Sequence, residues 1–130
     1  MIIIVIILIW PIKEISAFDS PIYHNLQSYI LTRFQSHDIV FLGTRHKQPP
    51  ILEFISELIT VLHNFGVTHI GLDIASDQQG KIDQFMKTGA GLYDIQIHSQ
   101  IDCPEYRNLL KVLRALGPNK RTIPVAQDLQ

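Results

Sequence analysis

The sequence predicts an α/β domain, a parallel sheet made of βαβ units with flanking helices. Two apolar runs of strand length, "DIVFLG" (38–43) and "VTHIGLDI" (67–74), enclose an amphipathic stretch with helical spacing. Strand, helix and strand fit within about 35 residues, the length of a crossover unit that joins parallel neighbours. The alternation of helix and strand then continues to the end of the chain with no repeat, low-complexity tract or linker. The 130 residues are 46% hydrophobic and 18% charged, with a net charge of −1, as expected for one globular domain.

Taken in order, the elements start with "MIIIVIILIW". This run is too short to span a bilayer, which takes about 20 residues, but it suits the core of a secretory signal or an uncleaved anchor. Ser16 and Ala17 then offer a small-residue cleavage site, so that residues 1–17 form the leader and 18–130 the domain. On that reading the protein is exported, periplasmic or membrane-associated; otherwise it is cytoplasmic. The β-branched Ile and Val of the run suit a buried first strand equally. "DSPIYHNLQSYILTRFQSH" reads as a helix capped by Ser20, with Pro21 in its first turn and Ile22, Leu26, Tyr29, Ile30 and Phe34 on one face. "DIVFLG" reads as a strand covered on both sides.

"PPILEFISELITVLHNFG" starts with proline, carries Ile51, Phe54, Ile55, Leu58, Leu62 and Phe65 on one stripe, and stops at Gly66. "ASDQQGKIDQFMKTG" is a short helix between Ser76 and Gly89. "GLYDIQIH" alternates Tyr93, Ile95 and Ile97 with polar residues, as an edge strand or an extended loop does. "DCPEYRNLLKVLRALG" is a helix with Cys103 at its cap, Tyr106, Leu109, Leu110 and Leu113 inward, and Gly117 at its end. "RTIPVAQD" is a third parallel strand, although Pro124 is out of place inside a ladder.

Eleven basic against twelve acidic residues leave no broad positive field, so nucleic acid is not an expected partner. The single Cys103 excludes an intramolecular disulfide framework and a CxxC site. The candidate chemistry sits instead where the strands end, because ligands of parallel sheets bind above the carboxyl ends of the strands. The first strand delivers Thr44, Arg45 and His46, the second Asp73, the third Gln127 and Asp128. With the two strands adjacent, His46 and Asp73 converge as a general base with its orienting carboxylate, or as two metal ligands. Gly43 permits a sharp turn, and Arg45 suits a bidentate carboxylate or phosphate.

Each assignment has a structural alternative. The Gly-Thr-Arg-His run is also an ordinary exposed loop, and Asp73 an ordinary helix cap. His69 reads as a satisfied core or interface histidine, and His24, His37 and His63 as solvated. His98 and Tyr106 read as an edge residue and a packed aromatic, although either type of side chain can ligate haem. A lone Cys103 is not a nucleophile without a lowered pKa.

In order and spacing, "IVFLGTRH", "IGLDIASDQQGKIDQFMKTG" and "IPVAQDL" resemble the ChaN-like haem-binding uptake domain, grouped with the TraB/Tiki proteins and erythromycin esterases. The resemblance runs from about Asp38 to the C-terminus. Gly43 and His46 match its Gly-x-x-His motif, and Asp73 its acidic position, usually glutamate. It implies haem binding linked to iron uptake with His46 and Asp73 at the pocket; with no CxxCH, the haem is non-covalent. The TraB/Tiki and esterase branches imply a hydrolase in which His46 activates water, aided by Arg45 and Asp73, or in which His46 and Asp73 hold Mn²⁺, Co²⁺ or Zn²⁺. Thr44 stands where the ChaN and esterase branches more often carry glutamate, and the TraB/Tiki branch threonine.

The family domain is roughly twice as long, so the resemblance implies an incomplete domain lacking a second histidine motif. An inactive copy that packs against a partner is the remaining reading. The incompleteness predicts an open sheet edge, partly uncovered helix stripes at 51–65 and 106–116, and either a homodimer or a marginally stable monomer.

Overall fold

In the computed structural model the described residues are 2–6, 26–43, 45, 47–117 and 123–126, the first and last of these as strand backbone. The chain is of the mixed α/β class. Its strands are β1 (Ile2–Ile6), β2 (Ile39–Gly43), β3 (His69–Leu72) and β4 (Ile123–Ala126), paired in the order β2-β1-β3-β4 with every pair parallel. In register, Ile3 lies beside both Val40 and Ile70, and Ile70 beside Pro124. Parallel neighbours need long connections, and helices supply them. α1 (Leu26–Arg33) lies between β1 and β2, α2 (Pro49–Phe65) between β2 and β3, and α3 (Gln79–Thr88) and α4 (Pro104–Ala115) between β3 and β4.

One core joins these elements. Ile70 and Leu72 of β3 point to one face by strand alternation and are buried with Leu52, Ile55, Leu58, Ile59 and Leu62 of α2 and Leu109, Leu110 and Leu113 of α4. The amphipathic stripes of α2 and α4 pack on each other, which covers most of both, while Phe65 stays exposed and Ile51, Phe54, Val112 and Leu116 are half-buried. Gly66 and Gly89 end α2 and α3 in left-handed geometry, as the sequence predicts. No helix among the described residues is long and apolar enough to cross a membrane.

Several expectations are corrected. Ile2–Ile6 takes the strand option of the apolar run and lies inside the sheet, so β2 and β3 are not adjacent. β2 is an edge strand and is not covered on both sides: Ile39 and Phe41 are 42% and 58% exposed, while Val40 and Leu42 pack toward the core. Pro124 sits in β4, which pairs only with β3 among the described strands, a position where a missing N–H is tolerated.

Residues 91–98 form no strand. Leu92–Asp94 is a 3₁₀ turn, and the Gln96 N–H donates to the buried side-chain oxygen of Gln78 at 2.9 Å in place of a ladder bond. Ser76 opens a 3₁₀ turn (Ser76–Gln78) that precedes α3, so that Gln78 rather than Ser76 stands at the α3 cap, and Cys103 makes no side-chain cap at α4. The described part of the first helix begins at Leu26, which is half exposed; Ser20, Pro21, Ile22 and His24 lie outside the described residues. Phe65 and Tyr93 turn outward rather than into the core.

Candidate site at the carboxyl edge of the sheet

A strand order of 2-1-3-4 reverses direction between β1 and β3. That reversal leaves a crevice at their carboxyl ends, where open α/β sheets bind ligands. Asp73 follows β3 directly and stands half-buried at its rim. The loop after β2 carries the exposed Arg45 and Lys47. Lys47 has φ = 48°, a left-handed geometry that disfavours a side chain, and such strain concentrates in functional loops.

A third loop reaches the same edge. Asp102 precedes α4 and accepts two hydrogen bonds from Arg107, at 2.7 Å from Nε and 2.8 Å from Nη2. This bidentate bond, ahead of the opposing effect of burial, lowers the Asp102 pKa, and the positive charge of Lys47 lowers it further. The Lys47 effect places the loop after β2 near the start of α4. Arg107 also donates to the Leu92 carbonyl at 2.7 Å and lies over the Tyr93 ring at 5.0 Å, fixing the first turns of α4.

Tyr106 is the residue that sequence reasoning assigned only to packing. It is 2% exposed, and its hydroxyl sits beside the Asp73 main chain without closing a well-formed hydrogen bond to any described residue. Burial, followed by the nearby negative charge of Asp73, holds the phenol protonated far above the usual tyrosine range. A buried polar group without a well-formed bond calls for a water, an ion or a role. The clue available in sequence was the α4 start: a residue three after the cap at the carboxyl edge faces the strand ends.

The other assignments fall as follows. His46, Thr44, Gln127 and Asp128 lie outside the described residues. Because β1 separates β2 from β3, the loop carrying His46 starts about two strand spacings, or ~10 Å, from Asp73. The expected adjacency of the two strands is therefore replaced by a two-strand separation, while His46 itself lies outside the described residues. Burial places Tyr106 under the edge, unsuited to reach a haem iron, and His98 is exposed, its Nδ1 accepting the Gln100 N–H at 3.3 Å.

His69 is half-buried with Nδ1 2.9 Å from the Thr68 hydroxyl, while His37 is exposed against Ser36 and the Arg33 carbonyl. His63 is half-buried rather than solvated. Burial raises the Cys103 pKa, which keeps it a thiol at neutral pH and not a nucleophile. No group of three or more His, Cys, Asp or Glu among the described residues is placed to hold a metal ion.

Comparison with protein families, curated proteins and solved structures finds no match to this chain.

Proposed function

We propose that the chain is a ChaN-like domain that binds a small ligand over the β1/β3 crevice, with haem as that ligand, held non-covalently and serving iron uptake. The observation behind this reading is the meeting of three loops at one sheet edge: Arg45 and Lys47 after β2, Asp73 after β3, and Asp102 with Tyr106 at the start of α4. The donor set suits the group. Two exposed cations flank His46 in sequence and match the paired carboxylates of haem, and the imidazole is a common iron ligand. Asp73 lines the polar wall, with the buried Tyr106 phenol beside it. Titration with haemin followed at the Soret band tests the reading: a saturable shift that His46→Ala abolishes is expected, and no saturable shift overturns it.

A hydrolase is the second reading, favoured by the closeness of Tyr106 to Asp73. A phenol held neutral is a fixed hydrogen-bond donor, and the carboxylate beside it can orient water for a base such as His46, with Arg45 receiving an anionic group. In its metal form, His46 and Asp73 bind Mn²⁺, Co²⁺ or Zn²⁺. Metal analysis of the native chain beside His46→Ala and Asp73→Asn separates the forms; equal metal content in all three removes the metal.

A further inference from the structure

A second cavity shares no residue with the carboxyl-edge site. It holds about 480 Å³ between the end of α3 and the outer face of α4, walled by Phe85, Gly89, Gly91, Leu92, Tyr93, Lys111 and Arg114. Its chemistry is divided. Phe85 and Leu92 are buried and make an apolar floor, whereas Tyr93 is 77% exposed, a large aromatic surface left open to water. One side of that ring faces the Arg107 guanidinium.

Across from it stand two cations, Lys111 and Arg114. Neither side chain makes an ion pair or a hydrogen bond with another described residue. The exposed Arg114 side chain lies along the end of α3, its guanidinium so close over Gly89 that a Cβ there would come within 2.7 Å of it. Asp94 does not itself line the cavity, but its carboxylate lies against Gly91, which does. Two exposed cations without partners among the described residues, an apolar floor and an open aromatic ring together fit a ligand with a flat apolar body and one negative group.

We propose that this cavity binds small aromatic carboxylates, with the ring stacked on Tyr93 above Phe85 and Leu92 and the carboxylate received by Arg114 and Lys111. The alternative for Arg114 is that it only neutralises the carbonyl end of α3, and a choice of probes separates the two.

The full chain, labelled with ¹⁵N, is titrated with phenylacetate, with neutral phenylacetamide and with acetate. Phenylacetate is expected to give saturable shifts centred on the amides of Gly89, Gly91 and Tyr93. Phenylacetamide and acetate should bind about tenfold more weakly or worse, since each lacks one of the two contacts. Arg114→Gln and Tyr93→Ala should each weaken phenylacetate by about the same factor while leaving the remaining amide spectrum in place. Absence of localised saturable shifts, equal binding of phenylacetamide or acetate, or unchanged binding in both variants overturns the proposal.

Discussion

Arg107 shows how much one side chain organises here, because the same guanidinium holds Asp102, the Leu92 carbonyl and the Tyr93 ring. Removing it strands a part-buried carboxylate and a carbonyl, so Arg107→Ala is expected to cost about 1–3 kcal/mol in denaturant unfolding. The pH dependence follows by sign. Asp102 has a folded pKa below its ordinary 3.8, so its contribution is complete above that value and is lost as pH falls through the folded pKa. Acid unfolding of Arg107→Ala should therefore be flatter below about pH 4.

Tyr106 acts at the other end of the scale. Its raised pKa means that stability is complete below about pH 10 and declines above it, as unfolding frees the phenol to ionise. Tyr106→Phe removes only a hydroxyl without a well-formed hydrogen bond, so folding should change by less than ~1 kcal/mol. Haemin affinity or hydrolysis should fall in the same variant, because the site loses the buried donor beside Asp73. An unchanged site with intact folding would return Tyr106 to packing alone.

Among the elements, two glycines of the α3 segment separate what sequence makes visible from what it hides. Gly80 lies inside α3 with open space where a Cβ would go, so Gly80→Ala should stabilise by about 0.5–1 kcal/mol. Gly89 has φ = 78° and lies under Arg114, so Gly89→Ala should destabilise by about 1–2 kcal/mol, measured in the same thermal melts. The helix ends were legible because caps are local: glycine after an apolar stripe stopped α2 and α3 where expected. Residues 91–98 were misread because alternation alone does not supply a neighbouring strand. Gln78, a dozen or more residues earlier, satisfies the Gln96 N–H instead and keeps the segment irregular. β2 was misread for a related reason, since an apolar run does not say whether its strand lies inside a sheet or at its edge.

At the scale of the whole molecule, strand order decides both the site and the stability. The sequence placed Asp73 at the end of a strand correctly, but the gap between it and the loop after β2 depends on β1, whose residues read equally well as a leader. The open face of β2 has its own consequence. With Ile39 and Phe41 exposed and no Lys, Pro or bulge guarding the edge, Phe41→Lys should raise solubility and shift sedimentation toward monomer. β1 carries the larger wager. It pairs along its length with β2 on one side and with β3 on the other. Without it those two strands stand ~10 Å apart, twice the distance at which backbone groups can bond. Their exposed N–H and C=O groups would then have to find other partners. A chain beginning at Phe18 is therefore expected to lose its sharp thermal transition by circular dichroism, with Ile4→Pro in the full chain failing in the same way because a ladder donor inside the sheet is lost. Export and strand formation thus draw on the same residues: a chain cleaved after Ala17 that still melted cooperatively would show that β2 and β3 close up without β1, and the crevice beside Asp73 would have to be redrawn.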